Sequence, residues 1–192
     1  MHGMQDHLRQ KIRQSVAFWL AAVPILLADQ VSKAWVLSRI PLQPREGGLD
    51  LSPDYAVIPV PHLLAFIHTR NEGAAFSAFQ AYPIVLAGVA AVLSVGVLVW
   101  ALWYLPVPER LSRVALGLIF GGAMGNLVDR VFHDWQVVDF ILVLVQWRGR
   151  MWPTFNLADS AICVGIGLFM IAAFRVDRGR VKAAPDPARK KA

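Results

Sequence analysis

The chain has 192 residues, of which 56% are hydrophobic and only 17% charged. A soluble domain usually carries roughly a quarter charged residues, so this composition excludes an ordinary water-facing surface and points to a small integral membrane protein. The 19 Lys and Arg outnumber the 13 Asp and Glu, but the excess lies at the chain ends rather than on one basic face, which argues against nucleic acid as a partner. The single Cys163 lies deep in an apolar run and reads as packing; one cysteine makes neither an internal disulfide nor a structural zinc site.

Arg9, Lys11 and Arg13 precede an uncharged stretch from Gln14 to Ala28, and apolar character resumes after Asp29 and Lys33 to about Leu37. This opening is like a secretory leader, yet no small-residue cleavage site follows, so a retained first helix over 15–37 is predicted. Pro41, Pro44, Pro53, Pro59 and Pro61 then break any continuous helix. Between them Tyr55–Val60 and Leu63–Thr69 read as two short strands. Ile84 to Trp103 gives twenty uncharged residues, about 30 Å of helix and enough for a bilayer core. Val114–Val128 and Ser160–Phe174 are shorter spans, adequate once their polar ends at Asp129, Arg130 and Asp159 are buried in protein or face a wet cleft. The fold class predicted is an all-α polytopic membrane protein with four transmembrane helices and a small extracytoplasmic β-sheet.

Four spans place both termini on one side. The termini and the 104–113 connection hold twelve Lys and Arg, against six in the opposite segments, so both termini are expected in the cytoplasm. Residues 1–14 then form a basic cytoplasmic N-terminus, 15–175 a four-helix membrane domain, and 176–192 a loose basic tail close to anionic lipid. Segments 38–82 and 131–157 face outside, where Trp135, Trp147 and Trp152 suit the interface.

The residues that raise the cost of insertion carry the functional signal. Asp29 and Lys33 are four apart and share a helical face where they can pair, which reads either as a snorkelling or self-neutralised polar end of the first helix or as part of a site, with Gln30 beside them. Asn71-Glu72-Gly73-Ala74-Ala75-Phe76 reads equally as a plain turn or as a binding loop. Gly117, Gly121 and Gly125 make a smooth stripe for close helix packing, and Asn126, Asp129 and Arg130 share a face suited to a buried hydrogen-bonded network. His62, His68 and His133 lack the spacing of metal ligands.

Asp139 and Asp159 differ from these. No basic residue lies between Val131 and Gln146, and Asp159 stands at the outer start of the fourth span, so both acids can reach the same side of the membrane. Two close carboxylates resist double ionisation, which leaves one as acid and the other as base toward a water aimed at an amide carbonyl. Asn156, one helical turn earlier, is placed to orient an acid or a carbonyl. A helix cap at Asp159 and a wet surface at Asp139 explain the same residues. Residue chemistry alone therefore leaves three readings open: a carboxylate hydrolase, a four-helix transport or interaction module with structural buried acids, or a purely structural role.

Together, Asp29-Gln30-Val31-Ser32-Lys33, Asn71 to Ser77, Gly121 to Arg130, Val137-Val138-Asp139-Phe140 and Phe155 to Ser160 resemble the lipoprotein signal peptidase (signal peptidase II) family over roughly residues 15–175. The resemblance implies an intramembrane aspartic endopeptidase with Asp139 and Asp159 catalytic. Asp29, Lys33, Asn71, Gly73, Asn126, Asp129, Arg130 and Asn156 would bind substrate or support the site. It also implies diacylglyceryl-modified bacterial prolipoproteins as substrates, cut just before the lipidated cysteine, with no nucleotide, metal or organic cofactor. A monomer among membrane phospholipids, in the bacterial cytoplasmic (inner) membrane with its site near the outer face, completes the expectation. The Pro-rich 38–61 connection and the basic tail look longer than a minimal member of that family needs.

Overall fold

The structure, a computed structural model, describes residues 2–44, 48–71, 82–105, 110–147 and 150–183. Its elements in chain order are α1 (His2–Arg39), β1 (Ala56–Val60), β2 (Leu64–Asn71), α2 (Pro83–Val99), α3 (Arg110–Phe132), β3 (Val137–Val143), β4 (Gln146–Trp147), β5 (Arg150–Met151) and α4 (Leu157–Ala183). A π-helical turn, Trp100–Tyr104, continues α2. Four of these helical stretches are long and apolar enough to cross a membrane: Ser15–Arg39, Ile84–Tyr104, Arg110–Phe132 and Leu157–Arg175.

Both short spans gain length by taking in their polar ends. α3 holds Asp129 and Arg130 within its last turn, and α4 holds Asp159 within its first. α4 also runs on to Ala183, so residues 176–183, expected as loose tail, are helical.

α3 is the hub of the bundle and packs on α1, α2 and α4. Its glycines explain how closely. A Cβ at Gly117 would strike the Phe18 carbonyl, one at Gly121 the Ala22 carbonyl and Ile25, and one at Gly125 the Asp29 carboxylate, all on α1. On the adjacent face a Cβ at Gly122 would strike the Ala158 carbonyl of α4. Without a hydrophobic drive between helices in lipid, such backbone approach supplies much of the association. Gly121→Ala is expected to push α1 from α3 and destabilise the bundle by about 1–3 kcal/mol, read as a lower unfolding midpoint in detergent. α2 is the outlying helix. Ile84, Val85, Val92 and Leu93 are exposed there, as lipid-facing side chains should be.

β1, β2 and β3 form one antiparallel sheet with β2 in the centre. The two predicted strands are present: β1 starts one residue later and ends at the predicted Val60, and β2 starts one residue later and runs two residues further, to Asn71. The third strand, β3, has no counterpart in the sequence reading. Phe66 pairs with Ile141 and Thr69 with Asp139, so β2 carries one extra residue at Ile67-His68, a β-bulge. Val36 and Ile40 at the end of α1 bury against Val138 and Phe140, which seats the sheet on the bundle.

The chain returns from β3 to α4 on a short leash. Phe140 and Ile141 both donate their N–H to the Phe155 carbonyl, at 3.0 and 2.7 Å, and Phe155 N–H donates to Ile141 O at 3.1 Å. That bridge lays the start of α4 beside the middle of β3. The turn from α3 into β3 is tight, with Asp134 and Trp135 at φ of 52° and 65°, a left-handed conformation uncommon for such residues.

Candidate active site

Among the described residues, Asp29, Gln30, Lys33, Asn71, Asn126, Asp129, Arg130, Asp139, Asn156 and Asp159 gather where the sheet meets the bundle. Lys33 ion-pairs with Asp29 at 2.8 Å, as its spacing allows, and also with Asp129 of α3 at 2.9 Å. Its Nζ donates further to Asn126 Oδ1 at 3.1 Å. Gln30 Nε2 reaches Asp29, the Gly125 carbonyl and Asp129. Asp29 and Asp129 are fully buried and Lys33 is 1% exposed, so this is a closed ionic cluster.

Each acid of the cluster holds a second element. Asp29 Oδ1 accepts the Ala158 N–H at 2.9 Å, satisfying one of the free N–H groups at the start of α4. Asp129 Oδ2 accepts the Val138 N–H at 2.9 Å, fixing where β3 begins. The ion cluster therefore positions the residues on either side of it, Asp139 and Asp159.

Asp159 is set by the geometry of its own helix. Asn156 Oδ1 accepts the Asp159 N–H at 2.9 Å, while Asp159 Oδ2 accepts the Asn156 N–H at 3.2 Å, a reciprocal capping box. Its other oxygen accepts from Asn126 Nδ2 at 2.8 Å. Asp139 is 2% exposed, with Oδ1 accepting from Asn156 Nδ2 at 2.7 Å and Oδ2 from Asn71 Nδ2 at 3.0 Å. The Asn156 Nδ2 group also lies 3.1 Å from Asn126 Oδ1. One asparagine thus touches both acids, and a second, Asn126, links Asp159 to Lys33.

Electrostatics mark Asp139. Burial pushes Asp139 up from the usual 3.8 to about 7, and the neighbouring Asp159 charge adds to the rise. The Asn71 amide, the Lys33 charge and the Asn156 amide pull in the opposite direction but do not cancel it. Arg130 lies within Coulombic reach of Asp129, Asp139 and Asp159, and its Nη1 donates to the Asn126 carbonyl at 3.4 Å.

The structure brings together Asp29, Lys33, Asn71, Asn126, Asp129, Arg130, Asp139, Asn156 and Asp159. Gly73 lies outside the described residues, as do Arg148 and Gly149. His68 is buried in the bulge with Nδ1 3.1 Å from the Ile40 carbonyl, and burial holds its pKa below the ordinary value. Sequence reasoning missed the Lys33–Asp129 pair and the Asp29–Ala158 cap. It missed Thr69 and Thr154 altogether.

An asparagine-bridged pair of acids lies beside a buried ion cluster at the sheet end of four apolar helices, in a polytopic membrane protein. Residues 21–175 match the model of the family described as signal peptidase (SPase) II, and the chain belongs to that family. It is 36% identical over 167 residues to a lipoprotein signal peptidase of Shewanella pealeana, across 82% of this chain and 85% of that one. It is 41% identical over 131 residues to one of Geobacter metallireducens, across 67% and 79%. A solved structure described as a bacterial membrane enzyme superposes with a TM-score of 0.68 at 26% identity, covering 91% of this chain and 94% of its own. The protein is thus a peptidase and a multi-pass protein of the bacterial inner membrane, which sets aside the transport-module alternative.

Proposed function

We propose that this chain removes signal peptides from diacylglyceryl-modified bacterial prolipoproteins, cutting just before the lipidated cysteine by an aspartic mechanism. Asp139 and Asp159 are the catalytic pair. The single observation that carries the mechanism is the contact of both acids with Asn156, at 2.7 Å to one carboxylate and 2.9 Å from the other residue's N–H. Asp139, pushed up to about 7, is the member that keeps its proton; Asp159 is the base.

In this scheme Asp159 takes a proton from a water lying between the acids, and the resulting hydroxide attacks the scissile carbonyl. The Asp139 proton stabilises the developing oxyanion. Collapse breaks the C–N bond, and Asp159 returns its proton to the leaving amine. The signal-peptide helix and the two acyl chains remain in lipid, while the scissile bond reaches the acids beside the sheet. The distribution of Lys and Arg supports cytoplasmic termini and a site near the extracytoplasmic face. The protein acts as a monomer among membrane phospholipids.

The test uses the full chain in lipid bicelles with two matched prolipoprotein peptides, one diacylglycerated and one not. Cleavage of the lipidated peptide alone, with the modified cysteine as the new N-terminus, is the expected result. Equal cleavage of the unmodified peptide would reject the substrate class. The pH profile adds a second check. Activity needs the protonated acid, so kcat should fall as pH rises through about 7, the value toward which Asp139 is pushed. Folded Asp139 also holds its proton to higher pH than in the unfolded chain, so its contribution to stability declines as pH climbs from 3.8 to about 7. A kcat flat to well above pH 8 would contradict the assignment.

A further inference from the structure

The recorded hydrogen bonds of the Thr69 and Thr154 hydroxyls go to the Asp139 main chain and to each other rather than to the catalytic carboxylates, and they join the two segments that carry those acids. Thr69 stands opposite Asp139 in the β2–β3 ladder, and its Oγ1 donates to the Asp139 main-chain carbonyl at 3.0 Å. A carbonyl only accepts, so the one hydroxyl proton of Thr69 is committed there. Thr154 Oγ1 lies 3.0 Å from Thr69 Oγ1 and must therefore be the donor between them. The result is a directed chain from Thr154 through Thr69 to the backbone of Asp139. Thr154 immediately precedes Phe155, which is pinned to Ile141, and Asn156, the residue in contact with both acids.

The bulge in β2 makes this chain possible. Continuing regularly from the Phe66–Ile141 pair, β2 would set His68 opposite Asp139 and turn Thr69 to the other face. The extra residue at Ile67-His68 restores Thr69 and Asn71 to the face of the Asp139 carboxylate, where Asn71 Nδ2 reaches Asp139 Oδ2. Bulges re-aim side chains in this way beside active sites.

We propose that Thr69 and Thr154 form a positioning latch that fixes the separation of the Asp139 and Asp159 carriers during peptide hydrolysis. The proposal rests on the aspartic reading above. The latch ties β3 to the loop before α4 from the β2 side, complementing the Phe155 bridge on the other edge. A misplacement of about 1 Å in a catalytic pair can cost on the order of a hundredfold in rate, so a hydroxyl-to-hydroxyl tie is enough to matter.

The experiment measures kcat, KM and the pH profile of Thr69→Val, Thr154→Val, the double variant and Thr69→Ser with the diacylated peptide. Valine keeps the branched shape, and a strand position accepts it well. Thr69→Val is expected to lower kcat about tenfold with KM within about twofold, and to shift the alkaline limb of the profile. Thr154→Val leaves the Thr69–Asp139 bond in place and should lose about threefold. The double variant should be no worse than Thr69→Val, since both act through one chain of bonds. Thr69→Ser, which keeps the hydroxyl, should return to within about twofold of the parent. Unchanged kcat and pH profile in both valine variants would overturn the latch, as would additive losses or failure of serine to rescue. Should Thr69→Val not fold, Thr154→Val alone decides by the same criteria. If Asp139→Asn retained activity, the aspartic reading itself would fall; if only the threonine variants behaved normally, the latch alone would fall.

Discussion

Asp139→Asn is expected to insert and fold, bind the diacylated peptide, and lose cleavage by on the order of 10⁴-fold. The same holds for Asp159→Asn. An amide holds no exchangeable acid proton in the range where the pair works, and it cannot take one from water, so either substitution removes the proton cycle. The variants do carry a structural cost. Both Asp139 oxygens accept from amide groups, and both Asp159 oxygens accept from N–H groups, so an asparagine puts a donor against a donor at one of them. An unmet bond of that kind costs about 1–3 kcal/mol. Folded fraction and peptide binding must therefore be measured beside kcat, and only a loss of turnover in folded, substrate-binding protein counts. Robust turnover by either variant would remove the dyad.

Lys33→Met should be the most destabilising single change outside the dyad. Two fully buried carboxylates, Asp29 and Asp129, share that one ammonium, and Asn126 Oδ1 takes a third bond from it. Breaking a buried ion pair by deleting one partner typically costs about 3–5 kcal/mol, because the surviving charge has no compensation. Here the damage spreads further, since Asp29 caps α4 at Ala158 and Asp129 holds the start of β3 at Val138. The expected result is a large fall in the folded fraction during detergent titration, with activity lost in proportion. Adding Asp129→Asn to Lys33→Met should recover part of the stability by removing one orphaned charge. A Lys33→Met protein as stable as the parent would show that the cluster does not hold the elements together.

How much of this was legible before folding depended on whether the determinant was local. α2 follows from twenty uncharged residues, and β1 and β2 follow from short runs rich in apolar and β-branched residues after Pro53 and Pro61. The Asp29–Lys33 pair follows from helical spacing within one element. β3 did not, because Val137-Val138-Asp139-Phe140-Ile141-Leu142-Val143 shows no alternation; it is buried on both faces and so reads as an apolar run. The bulge at Ile67-His68 was invisible for a different reason, since register exists only relative to a partner strand. Arg113 shows the limit of counting charges. Placed in a cytoplasmic connection by sequence, it is 1% exposed and donates to the Ala101 and Leu105 carbonyls at the end of the π-helical turn.

The capping box ties the Asp159 carboxylate to the backbone of its own helix. A carboxylate that closes the first turn of a helix cannot swing aside to admit a peptide without unwinding that turn. The capping bonds therefore hold the start of α4 fixed beside the site, and a peptide has to approach Asp159 in the position those bonds give it.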